Sequence, residues 1–299
     1  MIRTNVEQIG DPFVLCDGDR YYMYATDFDV CGFKVRISND MKNWTVAGIA
    51  LDLRDSWGHK DFWAPEVIYH NGKYVMHYTA RRIIDDSLRI GVAIANCPQG
   101  PFKDVYNGPM FDFGYAVIDG HVFIDDDGAP YFYYSKDCSE NCVNGIYTSQ
   151  IYVAKLNKDL TEIISQPKLV ISPTEDYEYN VAVSAKRWNE GPFMLKKDGK
   201  YYLTYSSNHY KSKNYCVCLA ISDKPDRGFI KATTNPIVSY RDVKEDFSGP
   251  GHNAFFKDKE GNLKIVFHIH TDANCITQSR KAVICDAKIT DSTILVKFN

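Results

Sequence analysis

Residues 17–24 of the chain read DGDRYYMY, in which an Asp-Gly turn is followed by a run of aromatic and aliphatic residues. The pattern returns four times, as NGKYVMHY at 71–78, DGAPYFYY at 127–134, DGKYYLTY at 198–205 and EGNLKIVF at 260–267. A glycine in such a turn accepts the positive φ that a tight hairpin needs. Because a short apolar segment also precedes each turn, every repeat is predicted to open with a β-hairpin.

A third strand is predicted after each hairpin, in the apolar segments 33–38, 90–95, 151–156, 216–221 and 282–285. No long segment has the 3.6-residue apolar period of an α-helix. The turn glycines of successive repeats lie 54 to 71 residues apart. Five strand-only units of this size predict an all-β fold, a five-bladed β-propeller with about four strands per blade, which forms a single domain over residues 1–299. A two-sheet sandwich is the alternative, but it does not explain the repeat.

Charge and composition narrow the range of partners. The 299 residues include 35 basic and 38 acidic ones, a net charge of -3, so no basic face for nucleic acid or an anionic membrane is expected. No apolar stretch approaches the roughly 18 residues of a membrane helix. The first seven residues lack the apolar core of a secretion signal. The protein is expected to be cytoplasmic, or extracellular or periplasmic if such a signal was removed.

Some residues carry weaker signals. The 21 tyrosines fit either an ordinary strand-rich core or a surface for sugar rings. The nine cysteines contain no CxxC pair, which argues against a structural zinc site. Cys138 and Cys142 can form a disulfide across a short loop; otherwise the cysteines are apolar filler. His268 and His270 share one strand face, but without a third ligand they are interpreted as packing or surface residues.

In a propeller the first strand of each blade lines the central channel, so residues early in these strands face one another. Counting back from each turn glycine places Asp11, Glu66, Asp119, Glu190 and His252 in what is predicted to be one equivalent position of the five blades. Carboxylates this close shift each other's pKa values, and such clusters mark active sites. Several carboxylates in a funnel rimmed by aromatic residues suit glycoside cleavage.

The surrounding motifs strengthen this interpretation. They are GDPFV at 10–14, FWAPEV at 62–67, VIDGHVF at 117–123, NEGPF at 189–193 and GPGHN at 249–253. Because these motifs occur in this order, one in each blade, the chain resembles glycoside hydrolase family 43. The resemblance implies an inverting five-bladed propeller that acts as a single catalytic domain on arabinose- or xylose-containing polysaccharides, with carbohydrate as its partner.

The resemblance also implies residue roles. Asp11 matches the general base that activates water, Glu190 the general acid, and Asp119 the carboxyl that raises the pKa of Glu190 and orients it. His252 matches an axial histidine that contacts substrate and lies near a calcium ion or its waters in the channel. No cofactor is implied for the chemistry itself.

Three further residues receive supporting roles. Trp63 and Arg280 match residues that contact substrate. The ordinary alternatives are that Trp63 is a core residue and that Arg280 is an exposed surface arginine. Glu66 is expected to act from behind the residues that touch substrate. Inversion implies that the two main carboxyls lie roughly 6.5–9.5 Å apart, whereas about 5–5.5 Å would favour a retaining, fructoside-cleaving propeller.

Other functions remain open at this point. A non-catalytic carbohydrate-binding propeller is expected to lack one of the three carboxylates, and a protein-interaction propeller needs no acids at its axis. The choices between arabinose and xylose and between exo and endo action are expected to depend on loops near 27–32, 80–88, 136–149 and 207–214.

Overall fold

The computed structural model describes residues 1–179, 185–244, 246–274 and 279–298. Within them, regular structure consists of strands and one short 3₁₀ turn, Asp176–Glu178. The strands are β1 Ile2–Asp17, β2 Arg20–Asp27, β3 Gly32–Ser38, β4 Thr45–Asp52, β5 Gly58–His70, β6 Lys73–Arg82, β7 Leu88–Ala95, β8 Lys103–Asp104, β9 Val117–Ile124, β10 Pro130–Lys136, β11 Cys142–Val143, β12 Ile146–Tyr147, β13 Gln150–Lys155, β14 Lys168–Ile171, β15 Asn189–Lys197, β16 Lys200–Ser207, β17 Cys216–Ser222, β18 Ile230–Lys231, β19 Gly251–Lys257, β20 Leu263–His270, β21 Arg280–Ile289 and β22 Ile294–Lys297.

These strands form the five predicted blades. Blade 1 is β1 to β4, blade 2 is β5 to β8, blade 3 is β9, β10, β13 and β14, blade 4 is β15 to β18, and blade 5 is built on β19 to β21. Each predicted hairpin joins the first two strands of a blade, and each predicted third strand follows in antiparallel register. The five-bladed β-propeller is therefore confirmed. No helix in the described ranges is long and apolar enough to cross a membrane.

The N-terminal strand closes the ring, which the sequence did not predict. The first part of β1 pairs with β21 of blade 5, and its second part pairs with β2 of blade 1. Ile9 stands at the crossing, because it is paired with both Arg280 and Asp27. β22 pairs with the remaining length of the same β21 edge. First and last blades thus share one eight-stranded sheet, and the edge that an open blade would expose is covered.

The core lies between neighbouring blades, and most of the tyrosine excess is part of it. The rings of Tyr24, Tyr78, Tyr133 and Tyr205, all on second strands, are fully buried. Their hydroxyls reach polar groups, such as the carbonyl of Pro98 for Tyr24 (2.5 Å). A buried phenol needs such a partner, so these tyrosines are explained by packing rather than by sugar binding.

The suggested disulfide between Cys138 and Cys142 is wrong. Both cysteines are free, and Cys138 is buried while Cys142 is exposed on the short strand β11. Cys275 lies outside the described residues. The other cysteines are free thiols, so in the described chain no disulfide staples the blades.

Each first strand carries the same irregularity near the axis. One extra residue interrupts the pairing with the second strand, and it has a left-handed backbone conformation. These bulge residues are Asp11 (φ 50°), Ala64 (φ 45°), Asp119 (φ 59°), Gly191 (φ 57°) and His252 (φ 48°). Of the five polar residues predicted to be equivalent, only those of blades 1, 3 and 5 are bulge residues. Glu190 lies one position before the bulge residue Gly191, and Glu66 lies two positions after the bulge residue Ala64.

We predict that the crossing at Ile9 stabilises the closed ring. Ile9 is 0% exposed, and replacing it by alanine leaves a cavity where two blades meet. We expect Ile9→Ala to lower the free energy of unfolding by about 2–5 kcal/mol, measured by urea denaturation. The matched control is Ile49→Ala on β4, where the side chain is 43% exposed and the loss should stay within about 0.5 kcal/mol. Equal losses in the two variants would contradict the importance of this closure.

Candidate active site

A cavity of about 220 Å³ opens where the bulges meet. Its lining residues are Asp11, Phe28, Trp63, Arg81, Leu88, Ile118, Asp119, Asp137, Ser139, Trp188, Glu190, His209, Tyr210, Tyr215, His252 and Arg280. All six residues predicted for the site are among them, so the fold brings together positions from all five blades. Each of the four predicted pocket loops also contributes at least one wall residue.

Asp11 lies in a cationic environment. Its Oδ1 accepts a hydrogen bond from Arg280 (3.0 Å) and stands 3.4 Å from Nδ1 of His252, while its Oδ2 accepts one from Thr26 (2.6 Å). Burial alone would raise the pKa of the Asp11 carboxyl. Arg280, His252, His268 and the Thr26 hydrogen bond outweigh burial and hold that pKa well below its usual range. Asp11 is therefore ionised across the neutral range and is a suitable proton acceptor.

Arg280 is buried beneath the pocket wall and is not an ordinary exposed arginine. Its guanidinium lies under the rings of Tyr210 (4.8 Å) and Phe28 (5.7 Å), and it is only 5% exposed. Gly10 makes room for it, since a Cβ there would stand 2.2 Å from its nitrogen. The contact to Asp11 shows what Arg280 does in the free site, whereas its contact with substrate stays a prediction.

Asp119 connects blades 3 and 4. Its Oδ2 accepts the backbone N–H of Gly191 (2.9 Å), the residue next to Glu190. Burial, the nearby Glu190 and Asp11 raise the pKa of Asp119 well above its usual range, and the Gly191 hydrogen bond opposes this only in part. Asp119 is thus placed to hold the strand that carries Glu190.

Glu190 has the opposite environment to Asp11. Burial raises the pKa of Glu190 to about 8; the Tyr215 hydroxyl, which donates to its Oε1 (2.8 Å), opposes the rise, while Asp137 and Asp11 add to it. Glu190 and Asp119 interact closely, so their protons belong to the pair. The site therefore retains a proton beside an ionised Asp11 near neutral pH, which is the arrangement that acid–base chemistry requires.

A ring of hydrogen bonds joins the five bulges. At four junctions a side chain on the second strand of one blade accepts the backbone N–H of the next blade's bulge residue. The donor–acceptor pairs are Ala64–Thr26 (2.9 Å), Asp119–Thr79 (3.1 Å), His252–Ser206 (2.7 Å) and Asp11–His268 (3.2 Å). At the remaining junction Gly191 donates to Asp119 instead, and Ser135 Oγ, in the matching strand position, has no partner among the described residues.

Sequence reasoning missed four residues beside the carboxyl groups of this site: Thr26, Asp137, Tyr215 and His268. His268, interpreted as packing or surface, supports the backbone of Asp11. Its position carried a signal: Thr79, Ser135, Ser206 and His268 each stand seven residues after the turn glycine, and Thr26 stands eight after its own. Asp137 ends up beside the carboxyl pair from the loop after β10, and Tyr215 precedes β17. Neither Asp137 nor Tyr215 belongs to the repeat, so no periodicity marked them.

Glu66 lies away from the candidate active site. It accepts a hydrogen bond from His121 Nδ1 (2.8 Å) and lines a separate, mostly apolar cavity of about 300 Å³ further along the channel. Trp63, by contrast, is only partly buried and forms part of the wall of the candidate site. Trp63 also packs against the buried side chains of Leu88, Ala116 and Ile118, so its contact with substrate stays a prediction.

The described residues do not form a calcium cage. Calcium takes six to eight oxygen ligands, whereas the charged groups around His252 are the carboxylates of Asp11 and Glu66 and the guanidinium of Arg280, which already binds Asp11. Within the described ranges, no group of three or more His, Cys, Asp or Glu side chains is arranged to hold a metal ion. A calcium ion held through waters near His252 stays a prediction, and no step below depends on it.

Comparison with known proteins places this geometry in a family. The model of glycosyl hydrolases family 43 matches residues 6–294. The crystal structure of a thermostable family-43 glycoside hydrolase is 42% identical, with a TM-score of 0.94 over 100% of this chain and 96% of that one. An endo-1,4-β-xylanase structure from Bacteroides thetaiotaomicron is 34% identical, with a TM-score of 0.84 over 100% and 97%.

Curated sequences agree at lower identity. A xylosidase/arabinosidase from Bacteroides ovatus is 29% identical over 66% of this chain and 64% of its own length. The chain spans between 64% and 69% of the length of three curated relatives, two xylosidase/arabinosidases and a β-D-galactofuranosidase from Aspergillus niger. Because the family model covers nearly the whole propeller, the chain belongs to glycosyl hydrolases family 43.

Proposed function

We propose that this protein is a glycoside hydrolase that cleaves arabinose- or xylose-containing plant polysaccharides or oligosaccharides by a single displacement with inversion. One arrangement carries the proposal: Asp11, held by Arg280 and Thr26, lines the same cavity as Glu190, whose pKa is raised by burial and by nearby carboxylates. The proposal assigns the whole reaction to residues 1–299 acting as one catalytic domain.

In the proposed reaction, Asp11 takes a proton from a water molecule as that water attacks the anomeric carbon. Arg280, Thr26 and the neighbouring histidines hold the carboxylate in one orientation before the reaction. Burial lowers the pKa of His252, so this imidazole stays neutral and does not compete for the role of acid.

Glu190 gives its proton to the departing glycosidic oxygen in the same step. Asp119 fixes the backbone at Gly191 and so limits where the Glu190 carboxyl can point. At the end of the step Asp11 holds the proton from water and Glu190 is ionised; exchange with solvent restores the starting state. General acid and base steps each contribute roughly 10²–10⁴-fold.

The walls and the relatives support a pentose substrate. Phe28, Trp63 and Trp188 offer flat apolar faces, and Arg81 and Asp137 offer polar groups for hydroxyls. Relatives named as a xylosidase/arabinosidase and an endo-1,4-β-xylanase favour arabinose and xylose as the sugars to test first.

The direct test is hydrolysis of nitrophenyl arabinofuranoside, nitrophenyl xyloside, arabinan and xylan by the wild-type protein and two isosteric variants. We expect turnover of at least one substrate and a loss of about 10²–10⁴-fold in Asp11→Asn on every active one. Glu190→Gln should lose as much on polysaccharide but less on a dinitrophenyl glycoside, whose leaving group needs no proton. Inactivity of the wild type on all substrates, or wild-type rates on polysaccharide in either variant, would contradict the proposal.

The pH profile gives a second prediction. The general acid must be protonated, so kcat/KM should fall as pH rises through the pKa of Glu190, near 8. The charge of Asp137 raises that pKa, so Asp137→Asn should lower it and move the basic limb of the profile to lower pH.

Asp198→Asn is the matched control for this profile. It also removes one negative charge, but from an exposed hairpin turn at the far end of the strand that begins beside Glu190. The basic limb of the kcat/KM profile of Asp198→Asn should stay at the wild-type pH. An unmoved limb in Asp137→Asn, or an equal movement in both variants, would contradict the role of Asp137.

A further inference from the structure

Tyr215 contacts Glu190 directly and is linked to Asp11 through His268, although neither the repeat pattern nor the family motifs pointed to it. It lies directly before β17 and is only 1% exposed. Its hydroxyl donates a hydrogen bond to Oε1 of Glu190 at 2.8 Å. Its ring stacks on His268, with centroids 5.6 Å apart and planes at 10°.

His268 extends this contact to the base. Its Nδ1 accepts the backbone N–H of Asp11 at 3.2 Å, which is the junction that closes blade 5 on blade 1. The imidazole is buried, and burial together with Arg280 lowers its pKa well below the usual range, so it remains a neutral acceptor. Stacking against Tyr215 therefore fixes the orientation of the His268 imidazole, which accepts the hydrogen bond from the backbone of Asp11.

The space for Tyr215 is built into the sequence. Gly251 lies against the ring, and a Cβ at this position would stand 2.2 Å from Tyr215 Cε1. Gly251 has no left-handed backbone angle that would call for glycine. The close approach of Tyr215 is thus the reason that the structure gives for a glycine just before the bulge residue His252.

We propose that Tyr215 is a positioning residue of the catalytic pair: its hydroxyl orients the carboxyl of Glu190, and its ring holds His268 against the backbone of Asp11. The inference rests on the proposed function and deepens it. The phenol does not ionise in this position, because burial and the surrounding carboxylates raise the pKa of Tyr215 well above its usual range. It is therefore a permanent donor.

The hydroxyl should also influence when Glu190 loses its proton. A donated hydrogen bond favours the ionised carboxylate, so Tyr215 lowers the pKa of Glu190 against the effect of burial. The other groups facing Glu190 are Asp137 and Asp11, which raise its pKa, Arg280, which lowers it, and the coupled Asp119. Removal of the hydroxyl leaves all of these in place.

The test is Tyr215→Phe, which keeps the stacked ring and removes one oxygen. We expect kcat to fall about ten- to hundredfold, with KM changed less, and the basic limb of the pH profile to move up by about one unit. The carboxyl carbon of Glu190, labelled for NMR and assigned through Glu190→Gln, should show the same upward movement without any substrate. This second measurement decides the hydrogen-bond claim even if no active substrate is found.

Two further variants complete the design. Tyr24→Phe also removes a buried hydroxyl hydrogen bond, but far from the cavity, so it should lower stability without moving the pH profile. Gly251→Ala keeps the hydroxyl and displaces the ring, and it should lower kcat as Tyr215→Phe does.

The two possible failures are distinguishable. A wild-type protein without glycosidase activity contradicts the proposed function. If the wild type is active and Tyr215→Phe has the same kcat, the same basic limb of its pH profile and the same Glu190 titration, the inference about Tyr215 is overturned. The proposed function then still stands.

Discussion

The backbone bulge repeated in every blade is the constraint on which the site depends. One extra residue in each first strand turns the chain toward the axis, and the N–H of that residue is held by the preceding blade. Four non-glycine residues, among them Asp11, Asp119 and His252, are kept in a left-handed conformation that an isolated chain would avoid. Because β1 closes the ring, every blade has a preceding neighbour that holds the backbone of its bulge residue, and this includes Asp11 in blade 1.

Two carboxyl groups of the same chemical type acquire opposite protonation states from this frame. Asp11 lies against a guanidinium, two imidazoles and a hydroxyl, so the folded state favours its ionised form. Glu190 is half-buried beside Asp119 and Asp137, so the folded state favours its protonated form. In the proposed mechanism these two carboxyls serve as base and acid, because the placement of neighbouring charges separates their pKa values.

The repeat made the fold and four pocket residues predictable from sequence: Asp11, Asp119, Glu190 and His252. Trp63 and Arg280 followed from the family resemblance, and the limits of the repeat explain what was missed. Turn glycines fix hairpins locally, so the five blades and the slots of Asp11, Asp119 and His252 could be counted along the chain. The role of residues 2–9 in closing the ring could not be predicted in this way, because it depends on pairing with β21, more than 270 residues away. Tyr215 and Asp137 lie outside the repeat and enter the site only through the path of individual loops.

The stereochemistry of the first-formed product tests the central claim most directly. If Asp11 activates a water molecule while Glu190 protonates the leaving oxygen, the sugar released must carry the anomeric configuration opposite to that of the substrate. Proton NMR, recorded on a cleaved arabinoside or xyloside before mutarotation, distinguishes the two anomers. The account predicts inversion; a first-formed product with retained configuration would mean that a carboxylate attacks the sugar directly and would contradict the assignment of Asp11 as a base.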